Sequence, residues 1–208
     1  AIDDYLNVFG KNRKDAGLRS GVKFLLIIAL GVALGWFFYA KLGVSTLHVP
    51  FYGDLALGWM IIPLFAFAVV ATGNAVNISD GLDGLAGGLL AISFVTFGGI
   101  ALLQGSVLLA GFCFTVVGAL LSYLWFNIYP ARFFMGDIGS FAYGVTLGVL
   151  AMFTDTLLLL PVIGLLFVTE AGSILLRITC KKLIGRKIFI QEPIHHHLES
   201  RGWPDTTL

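Results

Sequence analysis

The chain has 208 residues, of which 58% are hydrophobic and only 12% charged, and its mean hydropathy is +0.92. A soluble domain carries about a quarter charged residues, so this composition excludes an ordinary soluble protein and places the chain in a bilayer. The net charge of +1 excludes little, because in a membrane protein the placement of charge matters more than its sum.

A helix needs about 20 mostly apolar residues to span a bilayer. Six runs qualify, at roughly 22–40, 56–75, 85–103, 107–126, 139–153 and 156–178. The expected fold is an all-α polytopic integral membrane protein, a single transmembrane domain over 1–208 with about six helices. The fifth run is short and glycine-rich, so it is expected to be tilted, packed inside the bundle or only partly spanning. Gln104-Gly105-Ser106 is a turn tight enough to force an antiparallel hairpin between the third and fourth runs. Cys113 falls inside a span and Cys180 at a helix end, so no disulfide is expected. The chain begins Ala1-Ile2-Asp3-Asp4, without Met or a signal-peptide pattern, and reads as a piece that starts within a protein.

Lys and Arg set the orientation. With the first residues inside, Lys11, Arg13, Lys14, Arg19, Lys23, Arg132, Arg177, Lys181, Lys182, Arg186, Lys187 and Arg201 are cytoplasmic, and only Lys41 is outside. The cytoplasmic loops are then 1–21, 76–84, 127–138 and 179–208. The segments richest in unusual polar residues, Asp3-Asp4, Asn74–Asp83, Asn127–Ser140 and Pro193–Glu199, all fall on that face. The outer loops hold little more than Lys41, His48, Asp54 and Asp155. A transporter is expected to place polar groups near the midplane and on both faces, so a one-sided collection points to an active site at the inner membrane surface.

Asp3 and Asp4 make a carboxylate pair of the kind that suits Mg²⁺, or else a solvated helix end. In Asn74-Ala-Val-Asn77-Ile-Ser-Asp80-Gly-Leu82-Asp83-Gly-Leu85, Asn77, Asp80 and Asp83 recur every three residues and share a face if the backbone is helical. Capping of the helix near Leu85 accounts for one Asp, not for two and an amide. Asp137 lies between glycines at the start of the fifth run, where a helix N-terminus suits an anion and an Asp suits its metal. Phe133 and Phe134 are placed to stack on a base or to anchor at the interface. His195, His196 and His197 are adjacent and cannot all face one zinc ion in a regular element, so phosphate contact is the better role. The basic run at Lys181 and Lys182 reads as positive-inside anchoring, with no nucleic acid implied. Glu170 interrupts the last span and should face the bundle interior, as a structural pair or as a catalytic group.

Taken together, these segments resemble the phospho-N-acetylmuramoyl-pentapeptide transferases, a branch of the polyprenyl-phosphate sugar-1-phosphate transferases. Asp3-Asp4-Tyr5, Asn74–Leu85 and Gly136-Asp137-Ile-Gly139-Ser140 resemble the wider group. Phe126-Asn127-Ile-Tyr-Pro130-Ala-Arg-Phe-Phe134-Met-Gly-Asp137 and Pro193-Ile-His195-His196-His197-Leu-Glu199-Ser-Arg-Gly-Trp203 resemble the muramoyl-pentapeptide branch rather than the N-acetylglucosamine branch. The resemblance implies transfer of a phospho-sugar from UDP-N-acetylmuramoyl-pentapeptide to undecaprenyl phosphate, giving lipid I and UMP, with Mg²⁺ as cofactor. It implies a multi-pass protein of the bacterial inner membrane; a homo-oligomer is compatible with it. By motif, Asp137 resembles the metal ligand, and Asp3 and Asp4 the acidic pair near the metal and the lipid phosphate. Leu82, Asp83, Asn127 and Phe134 resemble the nucleotide-binding group, with Phe134 stacked on uracil. His195 and His196 resemble the histidines near the diphosphate, beside which His197, Asn77 and Asp80 are substrate-side candidates. Lys14 matches a lysine of the family's basic loop when an insertion is allowed. The family has more spans than this chain, whose stretch is expected to lack the first four and the last. The implied chemistry is a single displacement by the lipid phosphate, with a phospho-aspartate double displacement as the rival.

Overall fold

The computed structural model describes residues 20–183, 185 and 193–203. Its helices are α1 (Ser20–Ala40), α2 (Ile61–Ser79), α3 (Leu85–Leu103), α4 (Val107–Asn127), α5 (Gly136–Phe153), α6 (Leu160–Ile163), α7 (Leu165–Leu183) and α8 (Ile194–Glu199). The long helices are apolar runs, and their ends follow local backbone chemistry. Pro63 falls in the first turn of α2, where its missing N–H leaves no helical bond unmade. The α3–α4 turn closes through Gly105 at φ +76°, a left-handed conformation that suits glycine. Hydroxyls inside the helices bond back to the preceding turn, as Thr72 does to the Ala68 carbonyl and Ser93 to that of Leu89. No polar group on those turns then needs water, which a bilayer cannot supply.

α2 is the hub, packed against α1, α5 and α7, while α3 pairs with α4. Small residues bring the backbones close. A Cβ at Gly144 of α5 would lie 2.6 Å from the carbonyl oxygen of Thr72, and one at Gly35 of α1 2.8 Å from that of Ile62. Such contact replaces the hydrophobic drive that is missing between helices in lipid. The interior is aromatic and aliphatic, with Phe65, Phe94, Phe97, Leu90 and Ile61 fully buried. The outward faces carry Phe67, Leu103, Leu108 and Trp125.

The all-α polytopic architecture holds, with four helices among the described residues long and apolar enough to cross a membrane. A fifth crossing is available if Leu157–Ile163 and Leu165–Leu183 count as one span, and α1 adds a shorter apolar stretch over Phe24–Ala40. Four details differ from the hydropathy reading. α2 starts at Ile61 and runs to Ser79, so 76–79 belong to a helix rather than to a loop. Ahead of it stands an antiparallel hairpin, β1 (Thr46–Val49) and β2 (Gly53–Ala56), with His48 opposite Asp54. The last run is not one straight span, because it bends by 84° at Gly164. The fifth run reaches back to Gly136 and attains 18 residues.

Two polar ends result. One holds the Asp80–Gly84 and 128–135 loops, the start of α5 and α8. At the other, the hairpin meets the loop after α5, where Asp155 accepts the His48 backbone N–H at 3.4 Å, and Gln104 Nε2 donates to the Thr154 carbonyl at 2.7 Å.

Candidate active site

The first polar end is assembled by amides and carboxylates that tie one loop to another. α2 stops at Asp80, whose N–H still reaches the Val76 carbonyl at 3.1 Å. Gly84, at φ +78°, reverses the chain into α3. Its N–H donates to Asn127 Oδ1 at 3.0 Å, and Asn127 Nδ2 donates to the Phe133 carbonyl at 3.0 Å. Asp83 Oδ2 accepts the Ala131 N–H at 2.9 Å. Thus buried Asn127 and half-buried Asp83 fasten the 128–135 loop, with its cis Tyr129–Pro130 bond, onto the 80–84 loop.

On the other side of that loop, Asn77 Nδ2 donates to Asp137 Oδ1 at 3.1 Å and to Ser140 Oγ at 2.9 Å. Ser140 Oγ is free to accept because its own proton goes to the Gly136 carbonyl at 2.9 Å. Asn77 therefore orients an exposed carboxylate on the first turn of α5, the positive end of that helix. Asp80 lies beside it. Burial pushes the Asp80 carboxyl from 3.8 to about 6, a hydrogen bond from the Gly136 backbone opposes the rise, and the charge of Asp137 adds to it. The two carboxylates, with the Ser140 hydroxyl oxygen alongside, form a hard-oxygen donor set of the kind that suits Mg²⁺.

The conditional shared face is not realised, and capping, already disfavoured in the sequence, is absent here. Asn77, Asp80 and Asp83 do not share a helical face, since the helix ends at Ser79 and only Asn77 belongs to it. Nor does either Asp cap α3, whose N-cap is Gly84 with no side-chain bond. Leu82 sits half-buried in the loop between them. The two phenylalanines separate clearly. Phe133 packs edge-on to Tyr123 at 5.4 Å and tilted on Phe126 at 5.9 Å, whereas Phe134 is 69% exposed.

The histidines come from α8. His195 is buried, with Nδ1 2.9 Å from Glu170 Oε2. His196 Nδ1 lies 2.7 Å from Glu199 Oε2 and its ring 4.3 Å from that of His195. His197 is buried. Facing different carboxylates, His195 and His196 do not converge on one ion. His195 Nε2 meets Gly81, where a Cβ would lie 2.8 Å away. That contact joins α8 to the Asn77–Asp83 segment. Asp3, Asp4 and Lys14 lie outside the described residues.

The sequence reading missed the Ser140 partner of Asn77 and the backbone ties of Asp83 and Asn127. It also missed a cluster at the opposite end, where the ligand atoms of exposed His48, Asp54 and Asp155 lie within 4.8 Å of one another. The cross-strand His48–Asp54 pair at 2.7 Å accounts for most of that cluster.

The chain matches glycosyl transferase family 4 over residues 1–155, a stretch that contains the Asn77–Asp83 loop and Asp137. The chain belongs to glycosyl transferase family 4. Among relatives of this family-4 chain is the phospho-N-acetylmuramoyl-pentapeptide-transferase of Clostridium perfringens (strain SM101 / Type A), 40% identical over 208 residues, 100% of this chain and 64% of the relative. The protein of that name from Chloroflexus aurantiacus (strain ATCC 29366 / DSM 635 / J-10-fl) is 41% identical over 98% of this chain and 59% of the relative. That from Levilactobacillus brevis is 41% identical over 98% and 62%. The chain thus spans about three-fifths of the length of the curated relatives it matches.

Proposed function

We propose that this family-4 chain is the greater part of a Mg²⁺-dependent transferase that moves phospho-N-acetylmuramoyl-pentapeptide from UDP to undecaprenyl phosphate, forming lipid I and releasing UMP. The observation that carries the proposal is the acid pair Asp80–Asp137 at one polar end of an apolar bundle, with Asn77 holding the Asp137 carboxylate. Most charged amphiphile chemistry needs such an end. The donor approaches from water and the acceptor from lipid, and both bring phosphate charge to the same place.

Asp137 and Asp80 are the residues that would hold Mg²⁺. When bound, the ion neutralises phosphate charge that would otherwise oppose the approach of the two substrates. Asn77 keeps the Asp137 carboxylate oriented through its amide N–H. Exposed Phe134 stacks on the uracil, while Asn127 and Asp83 hold the loop that presents it. His195 faces the diphosphate. An oxygen of the lipid phosphate attacks the sugar-linked phosphorus, the bond from that phosphorus to the bridging oxygen breaks, and UMP departs with that oxygen. A phosphomonoester's second pKa is about 6, so the nucleophile is largely ionised at neutral pH, and Asp3 or Asp4 as a general base adds little. An apolar cavity of about 340 Å³ between α2 and α7, lined by Leu64, Phe67, Ala71, Phe167 and Leu175, supports a prenyl-chain acceptor. Lys181, Lys182, Arg132 and Arg201 at the site end, against Lys41 at the other, support a cytoplasmic site in the inner membrane.

The test is UMP release in detergent with Mg²⁺ and undecaprenyl phosphate, using this chain extended to the length of its relatives. Release with UDP-N-acetylmuramoyl-pentapeptide and none with UDP-N-acetylglucosamine is expected. Release with the second donor alone would reassign the branch, and release with neither, from folded protein, would end the proposal.

A further inference from the structure

Glu170 and His195 form a buried pair that the transfer mechanism above leaves half explained. Glu170 is 6% exposed on α7, and His195 2% exposed on α8. They are 25 positions apart in the chain, with Oε2 of Glu170 2.9 Å from Nδ1 of His195. A carboxylate only accepts, so Nδ1 carries the hydrogen in this pair. The other nitrogen is then defined by elimination. His195 Nε2 is buried, has no hydrogen-bond partner among the described residues, and abuts Gly81 of the Asn77–Asp83 segment. A buried polar atom left unpaired costs stability, and native structures carry few of them. Its position at the edge of the loop that holds Asp80 and Asp83 gives the cost a use. Gly81 is also the residue whose missing side chain lets the ring nitrogen come this close.

We propose that Glu170 is a positioning residue for phosphate transfer: it fixes His195 in the Nδ1–H form and so presents Nε2, rather than Nδ1, to the phosphates of the substrate. The same carboxylate balances the charge when Nε2 is protonated against a phosphate oxygen, so that a proton and a negative charge are held across one ring. A purely structural pair would need the same Nδ1–H, but its loss would lower stability without lowering kcat. The inference rests on the reading of His195 as a residue of the transfer site.

The experiment uses the chain extended to the length of its relatives, in detergent with Mg²⁺, and has two readouts. In ¹⁵N imidazole spectra, wild-type His195 is expected to show a protonated Nδ1. Glu170→Gln, whose amide can donate to Nδ1, is expected to move the proton to Nε2. In UMP release, Glu170→Gln should lower kcat by about 10–100-fold, the range typical of residues that orient a working histidine, with the donor KM unchanged. Glu170→Asp should restore part of the loss, and Glu170→Gln should cost nothing further in a His195→Asn background. If Glu170→Gln keeps full kcat while His195→Asn is inactive, the positioning role is wrong and the site reading survives. Additive losses in the double variant would make Glu170 merely structural. Wild-type transfer by His195→Asn would remove His195 from the site and the inference with it. If the unmodified protein releases no UMP, the transferase reading fails, and an unchanged tautomer in Glu170→Gln would separately overturn the pairing claim.

Discussion

Asp80 is where residue chemistry is most exposed to measurement. Its carboxyl is pushed up to about 6 by burial, with the nearby Asp137 charge adding to the rise. A carboxyl whose folded pKa lies above its unfolded value contributes stability while protonated: the contribution is complete below pH 3.8 and is lost as pH rises through about 6. Metal-free protein should therefore lose stability over that window through this group. Mg²⁺ should reverse the sign of the environment, so the carboxyl-carbon NMR titration of Asp80 should have a midpoint near 6 without metal and a lower one with it. A midpoint unmoved by saturating Mg²⁺ would take Asp80 out of the metal site. These acids were legible in the sequence because a carboxylate amid apolar residues must have a partner. The partners were not. Asn77 meets Asp137 across 60 positions and Gly84 meets Asn127 across 43, and no local pattern encodes a bond that depends on how two loops dock. Hence Asp83 and Asn127 read as ligand contacts in the sequence, while the structure also makes them fasteners of the loops.

Among the elements, the α2–α5 crossing sets the distance from Asn77 to Asp137, and Gly144 sets the crossing. A side chain there collides with backbone, the carbonyl of Thr72, rather than with a flexible tip. Gly144→Ala should destabilise by about 1–3 kcal/mol, the usual cost of overpacking, seen as a lower denaturation midpoint. Gly118→Ala on α4, where nothing lies within 4 Å, should be neutral or stabilising by up to about 1 kcal/mol. Equal effects at the two positions would contradict the close-packed crossing. The helices themselves were readable from hydropathy, which counts apolar residues. The same counting merged the Ala56–Met60 segment with α2 and overlooked the hairpin, whose strands are four residues each and bury only Leu47. It also ran through the 84° bend at Gly164, although Pro161 and Gly164, close together, were a visible signal of a break.

At the scale of the molecule, the described residues gather charge and polarity at the ends while the sides stay apolar, an arrangement that supports the proposed interfacial transfer. The segregation was legible early, because basic residues report topology even where helix bounds are misplaced by several residues. Family membership covers the two acidic segments and the relatives extend through the histidines, so sequence kinship and geometry converge on one end of the bundle. Under the proposed function, Asp137, aligned by Asn77, is the metal-holding carboxylate of that end. Its most direct test is Mg²⁺-dependent UMP release by Asp137→Asn in the chain extended to the length of its relatives, run beside thermal unfolding. An unchanged unfolding midpoint and a loss of about 100-fold or more are expected, the scale for removing a principal electrostatic group from a transfer site. Near wild-type release by folded Asp137→Asn would contradict that assignment.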